Sequence, residues 1–91
     1  MANDAKESKW QAKETIRVAR IKREGSTEVR VNVNVFDDRV LADVRVFYKK
    51  KGEKNALPSG KGLSFSLDEL LDLRKALRKA ERIIEERTEE E

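Results

Sequence analysis

Ninety-one residues suffice for one domain but not for two independent cores. Cysteine and histidine are both absent, which excludes disulfides, zinc sites built on thiolate or imidazole, and the usual pairs of nucleophile and general base. The charged fraction of 43% lies far above the roughly 25% typical of globular proteins, and with 37% hydrophobic residues only a small core is expected, one that a second copy of the chain would complete.

Net charge is +3, unevenly placed: residues 1–63 hold 15 Lys/Arg against 9 Asp/Glu, and residues 64–91 hold 6 against 9. A basic front and an acidic end suggest a surface for polyanions and an end that repels them, although solubility alone also accounts for such charge. No apolar run approaches the roughly 18 residues of a membrane span, and "MANDAKESKWQAKE" has no apolar signal core. An intracellular protein with no membrane partner is expected, in cytoplasm or nucleoid if prokaryotic or phage, in the nucleus if eukaryotic.

In chain order, residues 1–14 read as a flexible basic arm in which Trp10 is the one large apolar side chain. "TIRVARIKRE" alternates imperfectly through Ile16, Val18 and Ile21, which favours a strand over a helix, and "EGST" makes a turn. A second strand spans about Thr27 to Phe36, "DDR" is a tight connection, and a third strand runs from Val40 to about Lys49. Parity puts the valines of both strands on one face and Arg30, Asn32, Asn34, Phe36, Arg45 and Phe47 on the other. Tyr48 falls on the valine side by the same rule. "YKKKGEKNALPSGKG", with Lys49, Lys50, Lys51, Lys54 and Lys61, reads as a flexible basic loop, and "KGLSF" as a short fourth strand.

Ser66 and Glu69 in "SLDE" fit a capping box that opens a helix. Leu70, Leu73, Ala76, Leu77, Ala80, Ile83 and Ile84 then cover a sector of roughly 140° at helical spacing, wide enough to lie on its own sheet and still meet a second copy. Leu70, Leu73, Leu77, Ala80 and Ile84 are the candidate dimer contacts. The acidic tail, residues 85–91, sits at the negative end of the helix dipole and is expected to fray.

The polar face carries the chemistry. Unpaired nucleic acid exposes base faces and a phosphate backbone, so a binder with little sequence preference needs aromatic platforms flanked by cations. Phe36, Phe47 and Tyr48 are candidate platforms; Arg30, Arg39, Arg45, the loop lysines and Lys61 are candidate phosphate contacts; Asn32 and Asn34 can bond base edges or sugars. Asp37 and Asp38 have no third acidic partner to make a metal site, and no cofactor is expected.

From about Val29 to Ile84 the chain resembles the single-stranded DNA-binding domain of the transcriptional coactivator family called positive cofactor four, with distant similarity to the Whirly proteins. The resemblance lies in "VNVNVFDDRVLADVRVFY", a basic loop with a proline, "GKGLSF" and one amphipathic helix. It implies an α+β fold: a curved antiparallel sheet of four strands, or five, followed by one C-terminal helix, in a homodimer that binds unpaired DNA across its sheets. It matches Phe36 and Tyr48 to the family's stacking aromatics, and Arg39, Arg45 and Lys61 to its phosphate contacts. Asp37 and Asp38 depart from the more basic turn of the family, and the absence of a long serine-rich arm suits a compact prokaryotic or phage member.

The expected domain is therefore residues 15–84, between the arm and the tail. Its expected function is single-stranded DNA binding in transcription, replication or recombination, without catalysis. RNA binding is an alternative, and so is a protein-interaction module that recruits polymerase or repair partners through helix and tail.

Overall fold

The computed structural model describes residues 11–89; Trp10 and most of the arm lie outside them, as do residues 90 and 91. Four nine-residue strands, β1 (Glu14–Lys22), β2 (Thr27–Val35), β3 (Val40–Tyr48) and β4 (Leu57–Phe65), form one antiparallel sheet in the order β1-β2-β3-β4. One helix among the described residues, α1 (Leu67–Glu89), follows. The fold is thus the four-stranded α+β arrangement expected, without a fifth strand among the described residues.

The β2–β3 ladder is unbroken, pairing Thr27 with Tyr48 at one end and Val35 with Val40 at the other. Beyond it the amide of Phe36 donates to the Arg39 carbonyl at 2.8 Å, leaving Asp37 and Asp38 as a two-residue hairpin loop. The β1–β2 ladder has an irregularity between Arg17 and Ala19 that leaves Val18 as an extra residue. This bulge explains the imperfect alternation of β1: it puts Ile16, Ala19 and Ile21 opposite Val33, Val31 and Val29.

The stretch read as one long flexible loop is largely ordered. β4 begins at Leu57 and includes Pro58, Ser59, Gly60 and Lys61. Proline is tolerated because β4 is an edge strand, where a missing N–H costs no ladder bond. Three residues, Ser59 to Lys61, oppose Val46 alone. The Ser59 hydroxyl closes this gap, donating to the Val46 carbonyl at 2.8 Å and accepting from the Lys61 amide at 3.0 Å. The connection that remains turns at Lys50–Glu53, where the Glu53 amide donates to the Lys50 carbonyl and Gly52 takes a φ of 88° that a side chain would resist.

Both halves of the capping box form. The Glu69 amide donates to the Ser66 hydroxyl at 3.3 Å, and the Ser66 amide donates to the Glu69 carboxylate at 2.9 Å. At its far end α1 does not fray where expected but continues through Glu89, with the Thr88 hydroxyl donating to the Ile84 carbonyl at 2.7 Å.

The helix does not lie on its own sheet. It touches β3 and β4 only sparsely, and none of its residues is buried. Leu70 and Leu73 are half-buried, whereas Leu77, Ala80, Ile83 and Ile84 are exposed. Among the described residues Ala42 is the only buried hydrophobic side chain. A chain with so small a buried core has a weak hydrophobic driving force of its own.

Candidate nucleic-acid interface

Strict register along β2 and β3 assembles one polar face. Arg30 stands opposite Arg45, Asn32 opposite Asp43, Asn34 opposite Leu41 and Glu28 opposite Phe47. Side chains paired in this way point to the same side of the sheet. Phe36 and Arg39 extend the face past the last ladder pair. Eight residues separate the levels of Phe36 and Glu28, so the two phenylalanines stand roughly 26 Å apart at about 3.3 Å per residue.

Each phenylalanine carries an arginine over its ring. The Arg39 guanidinium lies 5.0 Å from the centre of Phe36, and that of Arg30 lies 4.4 Å from the centre of Phe47. The two rings differ in setting. Phe36 sits beside the exposed hairpin tip, where Arg39 also reaches the Asp38 carboxylate at 3.7 Å. Phe47 sits inside the sheet, beneath a guanidinium that the Glu28 carboxylate holds.

Two carboxylates are set among the cations. Asp43 is buried; its two oxygens accept from Arg45 Nε and Nη2 at 3.1 and 3.0 Å, and one also accepts from the Ser64 hydroxyl at 2.9 Å. Arg45 Nη1 donates to the Ser59 carbonyl at 3.1 Å. All three nitrogens of Arg45 are therefore committed within the sheet, and the Asp43 hydrogen bond raises its pKa above the ordinary arginine value. This pair runs along β3, not across the sheet. Glu28 accepts from Arg30 Nε and lies 3.8 Å from Arg20 Nε. The Arg30 hydrogen bond, assisted by the charges of Arg30, Arg20 and Lys22, holds the Glu28 carboxyl below its ordinary value.

The face thus unites Arg30, Asn32, Asn34, Phe36, Arg39, Arg45 and Phe47. Asn34 accepts from the Thr15 hydroxyl at 2.9 Å, so one of the two asparagines is already engaged in holding β1 to β2. Tyr48 is not with the others: its partners Thr27 and Leu57 put it on the valine face. Lys49, Lys50, Lys51 and Lys54 are exposed along the connection from β3 to β4, and Lys61 is exposed on β4 itself.

Sequence reasoning missed Arg17, Arg20 and Lys22. Arg17 pairs with Asn32 before the bulge, Arg20 and Lys22 pair with Arg30 and Glu28 past it, and all three join the polar face from β1. The signal was the single residue by which Val18 breaks the alternation of Ile16 and Ile21.

Comparison with known proteins agrees with this architecture. A crystal structure of BPSL1147, a PC4 homolog from Burkholderia pseudomallei K96243, superposes with a TM-score of 0.67 at 18% identity, covering 75% of this chain and 98% of that one. At that identity the likeness shows the shared fold. Comparison with curated proteins gives no significant match. The model of the family described as Transcriptional Coactivator p15 (PC4) matches residues 23–76, from the β1–β2 turn into the helix and over more than half of the sequence, and the chain belongs to that family.

Proposed function

We propose that this chain is a sequence-tolerant single-stranded DNA-binding protein of the coactivator type, working as a homodimer and performing no catalysis. The observation that carries this reading is the polar face, on which two arginine-topped phenylalanines stand at opposite ends of a field of cations and amides. Bases stack on the rings, and Arg30, Arg39, the lysines of the β3–β4 connection and Lys61 meet phosphates, with the β1 cations Arg17, Arg20 and Lys22 beside them. Family membership agrees with the reading, since the family is described as one of transcriptional coactivators.

The uncovered apolar surface supports the dimer. Leu70, Leu73 and Leu77 line a groove along α1, and Ile84 continues the stripe with 64% of its surface exposed. A second copy covers this stripe most simply by pairing helix with helix through Leu70, Leu73, Leu77, Ala80 and Ile84.

The test is a titration with a dT oligonucleotide, the matching RNA and blunt duplex at two salt concentrations, with the complex mass measured. Tight binding of the dT strand is expected, with a log–log salt slope near −0.7 per phosphate contacted. Equal affinity for duplex overturns the reading, and preference for the RNA strand moves it to RNA. Two double variants locate the path. Phe36→Ala with Phe47→Ala is expected to cost about 1–3 kcal/mol per lost stack, and more than Phe36→Ala with Tyr48→Ala, because Tyr48 points to the other face.

A further inference from the structure

Three arginines stand abreast across the sheet: Arg20 on β1, Arg30 on β2 and Arg45 on β3. Like charges directly opposite one another are destabilising, so the row depends on the two carboxylates set beside it. Asp43 grips Arg45 through both oxygens, is buried, and is fixed in turn by Ser64. Glu28 uses one oxygen, Oε2, toward both of its arginines, and the side chain of Arg20 is 62% exposed. Arginine has five N–H donors, so one shared carboxylate oxygen leaves most of the hydrogen-bonding capacity of Arg20 and Arg30 unspent. Glu28 is ionised at neutral pH as any glutamate is, and the Arg30 hydrogen bond holds its pKa below the ordinary value.

We propose that Glu28 is a built-in competitor for the nucleic acid: in the free protein its carboxylate holds the place of a backbone phosphate, which displaces it on binding. This rests on the single-strand reading above. The phosphodiester is an anion of the same charge that offers two free oxygens to an arginine fork, so it satisfies Arg20 and Arg30 better than one carboxylate oxygen does. As Arg30 turns to the phosphate it uncovers Phe47 for a base. Arg45 stays with Asp43 throughout.

Titration of a dT oligonucleotide at two salt concentrations tests this with the wild type and the variants E28Q, E28D, R30Q and E28Q/R30Q. E28Q is expected to bind about two- to fivefold tighter, through the loss of one half-buried ion-pair competitor. Its log–log salt slope is expected to steepen by about 0.7 for each added phosphate contact. The gain is expected to vanish in the R30Q background. E28D keeps the charge but shortens the reach by one methylene, so it is expected to show part of the gain and carries the test if E28Q does not fold. Unchanged affinity in E28Q and E28D, or an equal gain with and without Arg30, overturns the proposal while leaving single-strand binding intact. A wild type that binds no oligonucleotide overturns both.

Discussion

Two tripeptides, Glu28-Val29-Arg30 on β2 and Asp43-Val44-Arg45 on β3, have the same pattern and lie side by side, with their arginines directly opposed. Their surroundings make them different objects. On β3 the shorter carboxylate is buried and takes three hydrogen bonds, from Arg45 twice and from Ser64. On β2, likewise an inner strand, the longer carboxylate meets its arginines through one oxygen. An acid two residues before an arginine is structural where both of its oxygens and a neighbouring hydroxyl are engaged, and exchangeable where one oxygen alone holds it. The motif alone does not say which.

The comparison can be broken most forcefully at Asp43. Asp43→Ala leaves a half-buried guanidinium without its counter-charge, and a loss of about 2–4 kcal/mol in urea unfolding is expected. A loss under about 1 kcal/mol would put the two pairs in one class. Next is Gly62, paired with Arg45 across β3 and β4. A Cβ there would stand 2.8 Å from Arg45 Cβ, Arg45 Cγ and the Val44 carbonyl, so Gly62→Ala must push β4 away and is expected to cost about 1–3 kcal/mol. Ser64→Ala removes one hydrogen bond from Asp43 and is expected to cost about 1 kcal/mol by the same assay.

The smallest effect belongs to Glu28 and is read from pH. Its pKa in the folded chain lies below the ordinary 4.5, so its stabilising contribution is complete above that value and is lost as pH falls through the lowered one. Thermal melts of wild type and E28Q should therefore run parallel from neutral pH down to about 5. They should converge only in more acid solution, and a difference that changes near neutrality would contradict the assignment.

Much of this was legible in the sequence because two signals were local. The alternation of Val29, Val31, Val33 and Val35 set the register of β2, and the Ser66–Glu69 spacing marked the start of the helix. What was not legible depended on neighbours. Pro58 and three glycines suggested a loop, yet an edge strand with a serine-bridged bulge accommodates both Pro58 and Gly60. The acids after Ile84 oppose the helix dipole, yet α1 continues, since glutamate and arginine are themselves good helix formers. Parity brought out which side chains share the polar face but not the ion pairs they make there. Spacing cannot reveal that Arg45 has no free nitrogen, whereas for Tyr48 parity, not the resemblance, gave the right side of the sheet.

The bulge at Val18 has a consequence for solubility. β1 is an outer strand whose outward backbone groups could template a strand from another molecule, and Val18 leaves 59% of its surface open there. One extra residue breaks the regular spacing of those groups, and Arg17, Arg20 and Lys22 add repulsion between two such edges. Deleting Val18 is expected to straighten the margin and favour edge-to-edge association, which sedimentation of the variant beside the wild type would show.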